Sequence, residues 1–283
     1  MENQRVLVIG GNGYIGKVLT KRLTLDKHQV TVFSRKKIPD CAYENMVGDL
    51  LDLDGLLSTV KNFDLVIDLA GVIRAARKSR YQENVTGLYN LIKAMKQNNV
   101  PRLVYFSTQN VRLTKKGAYA NSKTECEKTL KKCGLEYSII RPSIVFGIDR
   151  NNDFYRLARI ISRWRLAPII GAGDNKMMPV LVDDVAGAGA EAIKNWQSGR
   201  IIEIHGREIV TMNQVVDFID QKLKKTAIRI HVPIAVLKVF RNFVPFDIDC
   251  YDEDRVFDGD ETTEPDYFFK SFCSLIDLCR EKG

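Results

Sequence analysis

Short runs of β-branched residues alternate with helix-period segments over the first two-thirds of the chain. This alternation is typical of a parallel sheet covered by helices. Runs such as VLVI and LVID are continuously apolar, as expected for strands buried on both faces. The predicted strands are residues 5–9, 29–33, 64–69, 102–106 and 137–145. The sequence therefore predicts an α/β fold with a doubly wound parallel sheet.

The pattern changes near Gly147. A helical segment with several arginines leads into a Gly-rich turn at residues 171–175, and a helix-like segment at 179–193 then returns to the sheet. A short strand, two helical segments and an acidic, irregular stretch follow. We predict that residues 1–146 and 179–205 form the main domain. Residues 147–178 and 206–283 are predicted to form a smaller lobe that closes over the edge of the sheet.

Composition limits the compartment and the partners. Apolar runs are interrupted well before the roughly 18 residues that a transmembrane helix needs, and the N-terminal segment lacks the regions of a signal peptide. Six cysteines without a CxxC pair predict free thiols and a cytoplasmic protein. The formal charge of +8, from 43 Lys and Arg against 35 Asp and Glu, favours anionic partners such as nucleotides, phosphates or an acidic membrane surface.

Two kinds of ligand are not expected. The chain has no zinc-finger spacing, RGG tract or aromatic-Gly strand motif, so we expect no nucleic acid partner. The histidines His28, His205 and His231 are isolated in the sequence, and the acidic run at 247–261 lacks the regular oxygen spacing of a calcium loop. No metal site is predicted.

A glycine-rich loop, GGNGYIG, follows the first strand and opens the first helix. A dinucleotide pyrophosphate needs such a turn without side chains, so that backbone N–H groups and the positive helix end can approach it. We expect Gly10 to make the turn, Gly13 to admit the phosphate and Gly16 to let the helix pack closely. The predicted cofactor contacts in this loop are Gly10, Asn12, Gly13, Tyr14, Ile15 and Gly16.

Basic residues follow the second strand, where many NAD-binding proteins have an acidic residue for the ribose 2′-hydroxyl. Arg35 and Lys36 could instead pair with a 2′-phosphate. This favours NADP(H) over NAD(H), and a solvated basic turn is the alternative.

The pattern YxxxK occurs twice, as Tyr89/Lys93 and Tyr119/Lys123. Tyr89 lies in the middle of a predicted helix, where we expect it to be a packing residue. Tyr119 instead follows the fifth strand and the hydroxyl residue Thr108. Residues four apart share a helix face, and a nearby ammonium lowers the pKa of a phenol toward working pH. Tyr119 is therefore the candidate general acid or base.

These motifs together resemble the short-chain dehydrogenase/reductase superfamily. The glycine spacing GxxGxxG, the stretch YANSKTECE, similar to YxxSKxxxE, and the stretches STQNV, RPSIVFG and PVLVDDVA point to its extended and atypical branches. The closest subgroup resembles NAD-dependent epimerase/dehydratase-like proteins related to the NAD(P)H-binding accessory subunit of respiratory complex I. The resemblance implies a Rossmann sheet with a small C-terminal substrate lobe.

The resemblance also implies roles for residues. Thr108 would hold the substrate oxygen, Tyr119 would move the proton and Lys123 would tune it and bind the nicotinamide ribose. Further cofactor contacts would come from Asp49, Leu50, Leu69, Ala70, Gly71 and Pro142. The implied activity is reduction or epimerisation of a sugar-like substrate, often linked to a nucleotide or lipid diphosphate. The alternative is a non-catalytic NAD(P)H-binding subunit or redox-sensing regulator.

Two segments combine apolar residues with arginine or lysine, at 154–168 and 235–246. They could grip a substrate diphosphate, lie on an anionic membrane, or be ordinary lobe helices with a core face. A peripheral membrane contact and a homodimer both stay open.

Overall fold

The structure is a computed structural model that describes residues 3–39, 41–75, 77–147, 152–240, 244, 248–258, 260–261 and 268–281. Within these residues the strands are β1 (Arg5–Ile9), β2 (Gln29–Ser34), β3 (Glu44–Val47), β4 (Leu65–Asp68), β5 (Arg102–Phe106), β6 (Glu136–Pro142), β7 (Val145–Phe146), β8 (Leu166–Ile170), β9 (Val180–Leu181), β10 (Arg200–His205), β11 (Ile228–Val232) and β12 (Asp260–Glu261). The α-helices are α1 (Tyr14–Leu25), α2 (Leu53–Thr59), α3 (Gln82–Gln97), α4 (Ala118–Leu130), α5 (Asp153–Trp164), α6 (Val182–Lys194), α7 (Met212–Leu223), α8 (Ile234–Val239) and α9 (Phe268–Glu281).

One parallel sheet of eight strands lies at the centre, in the order β3, β2, β1, β4, β5, β6, β10 and β12. Every neighbouring pair in it is parallel. The chain runs outward from β1 to β3 and returns to β4 on the other side of β1, so the strand order reverses there. This confirms the predicted doubly wound α/β fold. The reversal opens a crevice at the carboxyl ends of β1 and β4.

Both faces of the sheet are buried, as the apolar runs predicted. Val6 and Val8 of β1 pack in a cluster with α1 and α6. Leu7 and Ile9 point to the other face and pack in a cluster with α2, α3 and α4. The side-chain period of two along a strand explains why a continuous apolar run is needed here.

The predicted strand at 137–145 is confirmed for 137–142 but is broken at 143–144. Strand β6 ends at Pro142, which has no N–H to donate to a neighbouring strand. The N–H of Ser143 still donates to the carbonyl of Ile204, and Val145 begins a separate two-residue strand paired with β9. Strand β3 was not among the predicted strands, because its half-exposed sequence ENMV has no continuous apolar run.

A third apolar cluster joins α5, β8, α7 and α9. Its aromatic centre includes Phe154, Phe268 and Phe272, with ring centroids 5.1 to 6.0 Å apart. Helix α6 begins at Val182, after Leu181 as the N-terminal cap. Asp183 and Asp184 lie in the first turn of α6, where their charge suits the helix dipole.

None of the helices in the described part of the chain is long and apolar enough to cross a bilayer. Five cysteines are free thiols, as predicted: Cys41, Cys126, Cys133, Cys250 and Cys273. The side chain of Cys279 lies outside the described residues.

Candidate active site

The glycine-rich loop lies at the carboxyl end of β1 and leads directly into α1. Gly10 has φ +77°, a left-handed conformation that favours glycine, and its carbonyl accepts a 2.9 Å hydrogen bond from the N–H of Gly13. Gly13 is the N-terminal cap of α1. A Cβ on Gly16 would lie 2.3 Å from the carbonyl oxygen of Gly10, so the helix start packs on the loop itself rather than on the sheet.

This loop touches the loop after β4, as expected of neighbours at the strand reversal. A Cβ on Gly10 would lie 3.2 Å from the backbone nitrogen of Ala70 and 3.3 Å from the carbonyl carbon of Leu69. A Cβ on Gly71 would lie 3.5 Å from Nζ of Lys123. The structure therefore brings the predicted loop residues Leu69, Ala70 and Gly71 between the glycine-rich loop and the candidate lysine.

The predicted cofactor residues after β2 and β3 lie on the surface beside α3. Arg35 and Lys36 are exposed at the end of β2. The pKa of the Glu83 carboxyl, on α3, is lowered mainly by the hydrogen bond from Arg80. The charge of Arg35 also lowers it, so Arg35 lies near Glu83. The carboxylate of Asp49 accepts a 3.0 Å hydrogen bond from the N–H of Leu51. Leu50 packs against Gly87 of α3.

Lys123 is buried below the crevice and is 3% exposed. Its ammonium donates a 2.7 Å hydrogen bond to the carbonyl of Phe106 and lies 4.4 Å from the centre of the Tyr105 ring. Burial lowers the pKa of Lys123. Burial also raises the pKa of Asp68 to about 6, against the opposing effects of Lys123 and of the N–H of Ala70, which donates to Asp68.

Tyr119 lies in the first turn of α4, one turn before Lys123, and is partly buried. Its ring centroid is 6.1 Å from that of Tyr81. The carbonyl of Tyr119 accepts a 2.7 Å hydrogen bond from the Ser122 hydroxyl. Ser122 in turn accepts from Nδ2 of Asn84, whose Oδ1 accepts from the N–H of Val72. Buried side chains thus attach the start of α4 to α3 and to the loop after β4.

The two hydroxyl residues after β5 have different environments. Ser107 donates a 2.6 Å hydrogen bond to Glu127 of α4. Thr108 starts a 3-10 turn at 109–112, and its Oγ1 accepts a 3.3 Å hydrogen bond from the N–H of Asn110. Ser107 thus already donates to a carboxylate, and the role of Thr108 as the substrate contact stays a prediction.

Glu127 belongs to a chain of ion pairs behind the site. Arg141 of β6 contacts Glu127 at 2.5 Å and Glu203 of β10 at 2.6 Å. Arg112 contacts Glu203 at 2.5 Å and also donates to the carbonyl of Asp258. These pairs join α4, two strands and the turn after Thr108.

Two further predicted residues are Tyr14, at the start of α1, and Pro142, at the end of β6. The Tyr14 hydroxyl accepts a 3.3 Å hydrogen bond from Nδ2 of Asn152, the N-terminal cap of α5. Pro142 is buried at the end of β6. The remaining loop residues, Asn12 and Ile15, are exposed and partly buried respectively.

The second YxxxK pair does not belong to this site. Tyr89 is 60% exposed on α3, so the expectation that it packs in the interior was wrong. Nowhere in the described ranges do three or more His, Cys, Asp or Glu residues form a group that could hold a metal ion. That no metal is used stays a prediction.

Sequence reasoning missed several buried polar residues of the site. Asp68 is the charged end of the apolar run LVID, and Glu127 is four residues after Lys123, so both carried a signal. Asn84, Ser122 and Arg141 form their contacts across distant segments. No local pattern could have predicted those partners.

The fold and its crevice place the chain in the class of Rossmann-type proteins with a doubly wound parallel sheet. Residues 6–204 match the model of the NAD dependent epimerase/dehydratase family, and the chain belongs to that family.

Similar proteins include enzymes and a respiratory-chain subunit. The chain is 26% identical over 253 residues to N-acetyl-alpha-D-glucosaminyl-diphospho-ditrans,octacis-undecaprenol 4-epimerase of Escherichia coli O157:H7, covering 82% of this chain and 76% of the relative. It is 22% identical over 261 residues to the mitochondrial NADH dehydrogenase (ubiquinone) 1 alpha subcomplex subunit 9 of Arabidopsis thaliana, covering 84% of this chain and 64% of the subunit. The solved structure of MoeE5 with UDP-glucuronic acid and NAD has a TM-score of 0.80 at 21% identity, covering 99% and 100% of the two chains.

Proposed function

We propose that this protein epimerises or reduces a sugar carried on a nucleotide or lipid diphosphate, with Thr108, Tyr119 and Lys123 as its catalytic residues. The observation that carries the proposal is the position of Lys123. Its ammonium is buried beside Gly71, at the loops that meet at the strand reversal, and it lies one helical turn after Tyr119. The relative that acts on an undecaprenol-diphosphate sugar and the MoeE5 complex with a UDP-sugar support this substrate class.

The residues suit a proton transfer coupled to oxidation of an alcohol. A bound nicotinamide would supply the hydride acceptor or donor. The Tyr119 hydroxyl would exchange a proton with the reacting substrate oxygen, which Thr108 would orient by a hydrogen bond. The Lys123 ammonium would favour the phenolate form of Tyr119 by its charge.

Replacing each YxxxK tyrosine by Phe tests the proposal. Tyr119→Phe should lower turnover of UDP-N-acetylglucosamine or its polyprenyl-diphosphate counterpart by at least about a hundredfold, because it removes the proton donor. Cofactor affinity should change little. Tyr89→Phe, on the exposed face of α3, should keep full activity. Equal loss in both variants, or normal turnover in Tyr119→Phe, would refute the assignment.

A non-catalytic NAD(P)H-binding subunit or redox-sensing regulator is the second candidate, favoured by the likeness to the NADH dehydrogenase subunit. Under this alternative the wild-type protein binds NAD(P)H but produces no product with any sugar diphosphate. Detection of transient nicotinamide reduction at 340 nm on addition of substrate would exclude it.

NADP(H) is the proposed cofactor in preference to NAD(H). Arg35 and Lys36 are exposed at the end of β2, where a ribose 2′-phosphate would lie. The negative charge of the nearby Glu83 carboxylate would repel a 2′-phosphate and so opposes this preference. The quantity to measure is therefore the ratio of the affinities for NADPH and NADH.

We also propose a domain organisation, a cellular location and an oligomeric state for this protein. Residues 1–146 with 179–205 are proposed as the cofactor domain, and 147–178 with 206–283 as the substrate lobe, which the separate apolar cluster of α5, β8, α7 and α9 supports. We propose a cytoplasmic location, supported by the free thiols, with peripheral membrane contact. A homodimer remains a prediction that sedimentation velocity can test.

A further inference from the structure

Strands β8 and β11 form a two-stranded parallel sheet on the lobe, and one of its faces is apolar. The register pairs Ile228 with Leu166, Ile230 with Pro168 and Val232 with Ile170. The intervening residues Ala167 and Ile169 are buried in the lobe core. Paired residues of a parallel sheet point to the same side. The six apolar side chains therefore share the face that points away from the core, and Ile228 is 67% exposed.

Further exposed apolar side chains lie at both ends of this face. Trp164, two residues before β8, is 61% exposed. Helix α8 begins two residues after β11, and none of its residues is buried. Val239 of α8 is 78% exposed, and Val236 and Phe240 are exposed as well. A lobe helix with a core face was one of three alternatives for the segment at 235–246. Within 235–240 only Leu237 and Lys238 are partly buried, and residues 241–243 and 245–246 lie outside the described residues.

Charge is segregated in the same two segments. Residues 154–173 and 221–246 contain ten Lys and Arg and no Asp or Glu, so the remaining chain has slightly more acidic than basic residues. Exposed cations stand beside the Ile228 end of the face: Arg163, Arg165, Lys224 and Lys225. Lys225 donates to the carbonyl of Ser162, and the N–H of Ile228 donates to the carbonyl of Arg165, which places these cations at the rim of the sheet.

An exposed apolar face of this kind marks an interaction surface. A symmetric contact with a second copy would place two copies of the basic rim in one interface, and like charges at an interface cost free energy. An anionic bilayer instead matches both features, because apolar side chains enter the interface and Lys and Arg contact the headgroups. We propose that the exposed apolar face and its basic rim dock the protein on an anionic membrane surface.

The docking face is connected to the candidate active site. Lys238 of α8 forms an ion pair of 2.6 Å with Asp252, and Asp252 lies 3.8 Å from Nζ of Lys115. Lys115 is four residues before Tyr119, and its N–H donates to Glu253. Docking would therefore hold against the membrane a surface whose helix α8 is linked by ion pairs to the segment that precedes Tyr119. The use of the surface for a lipid-linked substrate rests on the proposed function, whereas the docking itself does not.

Flotation with vesicles tests the docking. The full chain should float with phosphatidylcholine vesicles that contain phosphatidylglycerol, bind phosphatidylcholine alone more weakly, and dissociate as salt is raised. Ile228→Ser/Ile230→Ser and Arg163→Gln/Lys224→Gln should each lower binding by about tenfold. Leu25→Ser/Tyr89→Ser and Lys131→Gln/Lys132→Gln, which change exposed residues of the other domain, are the matched controls and should bind as the wild type does.

Tryptophan fluorescence gives an independent readout. In a Trp196→Phe background, emission of Trp164 should shift to shorter wavelength with anionic vesicles and shift less with phosphatidylcholine at the same lipid concentration. The proposal is overturned if the wild-type protein stays in solution with anionic vesicles at low salt, or if the controls lose as much binding as the face variants. It is also overturned if Ile228→Ser/Ile230→Ser converts a dimer to a monomer without changing flotation, since the face then belongs to a second copy. Turnover of a water-soluble UDP-sugar, measured in parallel, separates a failure of docking from a failure of the proposed activity.

Discussion

Lys123 donates a 2.7 Å hydrogen bond from its ammonium to the main-chain carbonyl of Phe106, the last residue of β5. The bond attaches α4 to the sheet two residues before Thr108. It therefore sets the position of the helix that carries Tyr119 relative to the hydroxyl that follows β5. A buried ammonium also needs such an acceptor, because an unpaired charge in this environment is costly.

Removing this ammonium should affect activity more than removal of its counterpart on α3. Lys123→Met leaves the carbonyl of Phe106 without its donor, and we expect turnover to fall by at least about a hundredfold. Lys93→Met, in the other YxxxK pair, changes an exposed side chain and should retain activity. Steady-state kinetics with circular dichroism as a check of folding would measure the effect, and comparable turnover in both variants would contradict it.

Asp68 should make stability depend on pH. Burial raises its pKa from 3.8 to about 6, so the folded protein holds this proton more tightly than the unfolded chain does. The stabilisation that this bound proton gives to the folded protein is complete below about pH 4 and is lost as pH rises through about 6. Asp68→Asn has no proton to lose, so its stability does not fall in this way. The free energy of unfolding of the variant minus that of wild type should be larger at high pH than at low pH, by up to about 3 kcal/mol. Urea unfolding across this range, with the exposed Asp49→Asn as control, measures it. A difference independent of pH would refute the prediction.

Arg141 should be important for stability because it lies between two carboxylates. Its side chain and that of Glu127 are 14% and 5% exposed, so Arg141→Met leaves the buried Glu127 carboxylate without its cationic partner and with the Ser107 hydroxyl as its remaining donor. We expect a loss of about 3 to 5 kcal/mol in the free energy of unfolding.

The double variant Arg141→Met/Glu127→Gln should recover part of this loss, because the unpaired charge is removed. Asp64→Asn, which breaks the surface ion pair with Arg5, should cost no more than about 1 kcal/mol. Chemical denaturation of the wild type, the two single variants and the double variant measures these free energies of unfolding. Equal losses for Arg141→Met and Asp64→Asn would argue against the buried network.

The glycine-rich loop predicts a contrast between two glycines. A Cβ on Gly16 would lie 2.3 Å from a backbone carbonyl of the loop, so Gly16→Ala must displace the loop and should weaken NAD(P) binding by at least about tenfold. A Cβ on Gly187 meets only the end of the flexible Arg22 side chain at 3.0 Å. Gly187→Ala should therefore bind the cofactor normally. Fluorescence titration with NADH and NADPH distinguishes the two, and unaltered binding by Gly16→Ala would count against the loop as the phosphate site.

The basic residues after β2 predict the cofactor preference. Arg35→Ser/Lys36→Ser should weaken NADPH binding by about tenfold and leave NADH binding within about twofold, because only the 2′-phosphate interacts with these charges. Lys21→Ser, exposed on α1, is the control. Titration calorimetry would measure both affinities. A wild-type protein that binds NADH more tightly than NADPH would overturn the proposed preference.

The features of this protein that could be predicted from its sequence depend on neighbours along the chain. The run VLVI predicted a strand buried on both faces, the glycine spacing predicted a loop opening α1, and the four-residue spacing of Tyr119 and Lys123 placed them on one helix face. Each of these follows from backbone periodicity and local sterics, which a sequence displays directly.

Which polar groups are buried together became visible in the folded protein alone. The contact of Ser107 with Glu127, the position of Arg141 between Glu127 and Glu203, and the burial of Asp68 beside Lys123 join residues from separate strands and helices. The exposure of Ile228 and of α8 was equally hidden, because an apolar run reads the same whether its face is covered or not. Burial depends on what packs against a side chain, and those neighbours lie far away in the sequence.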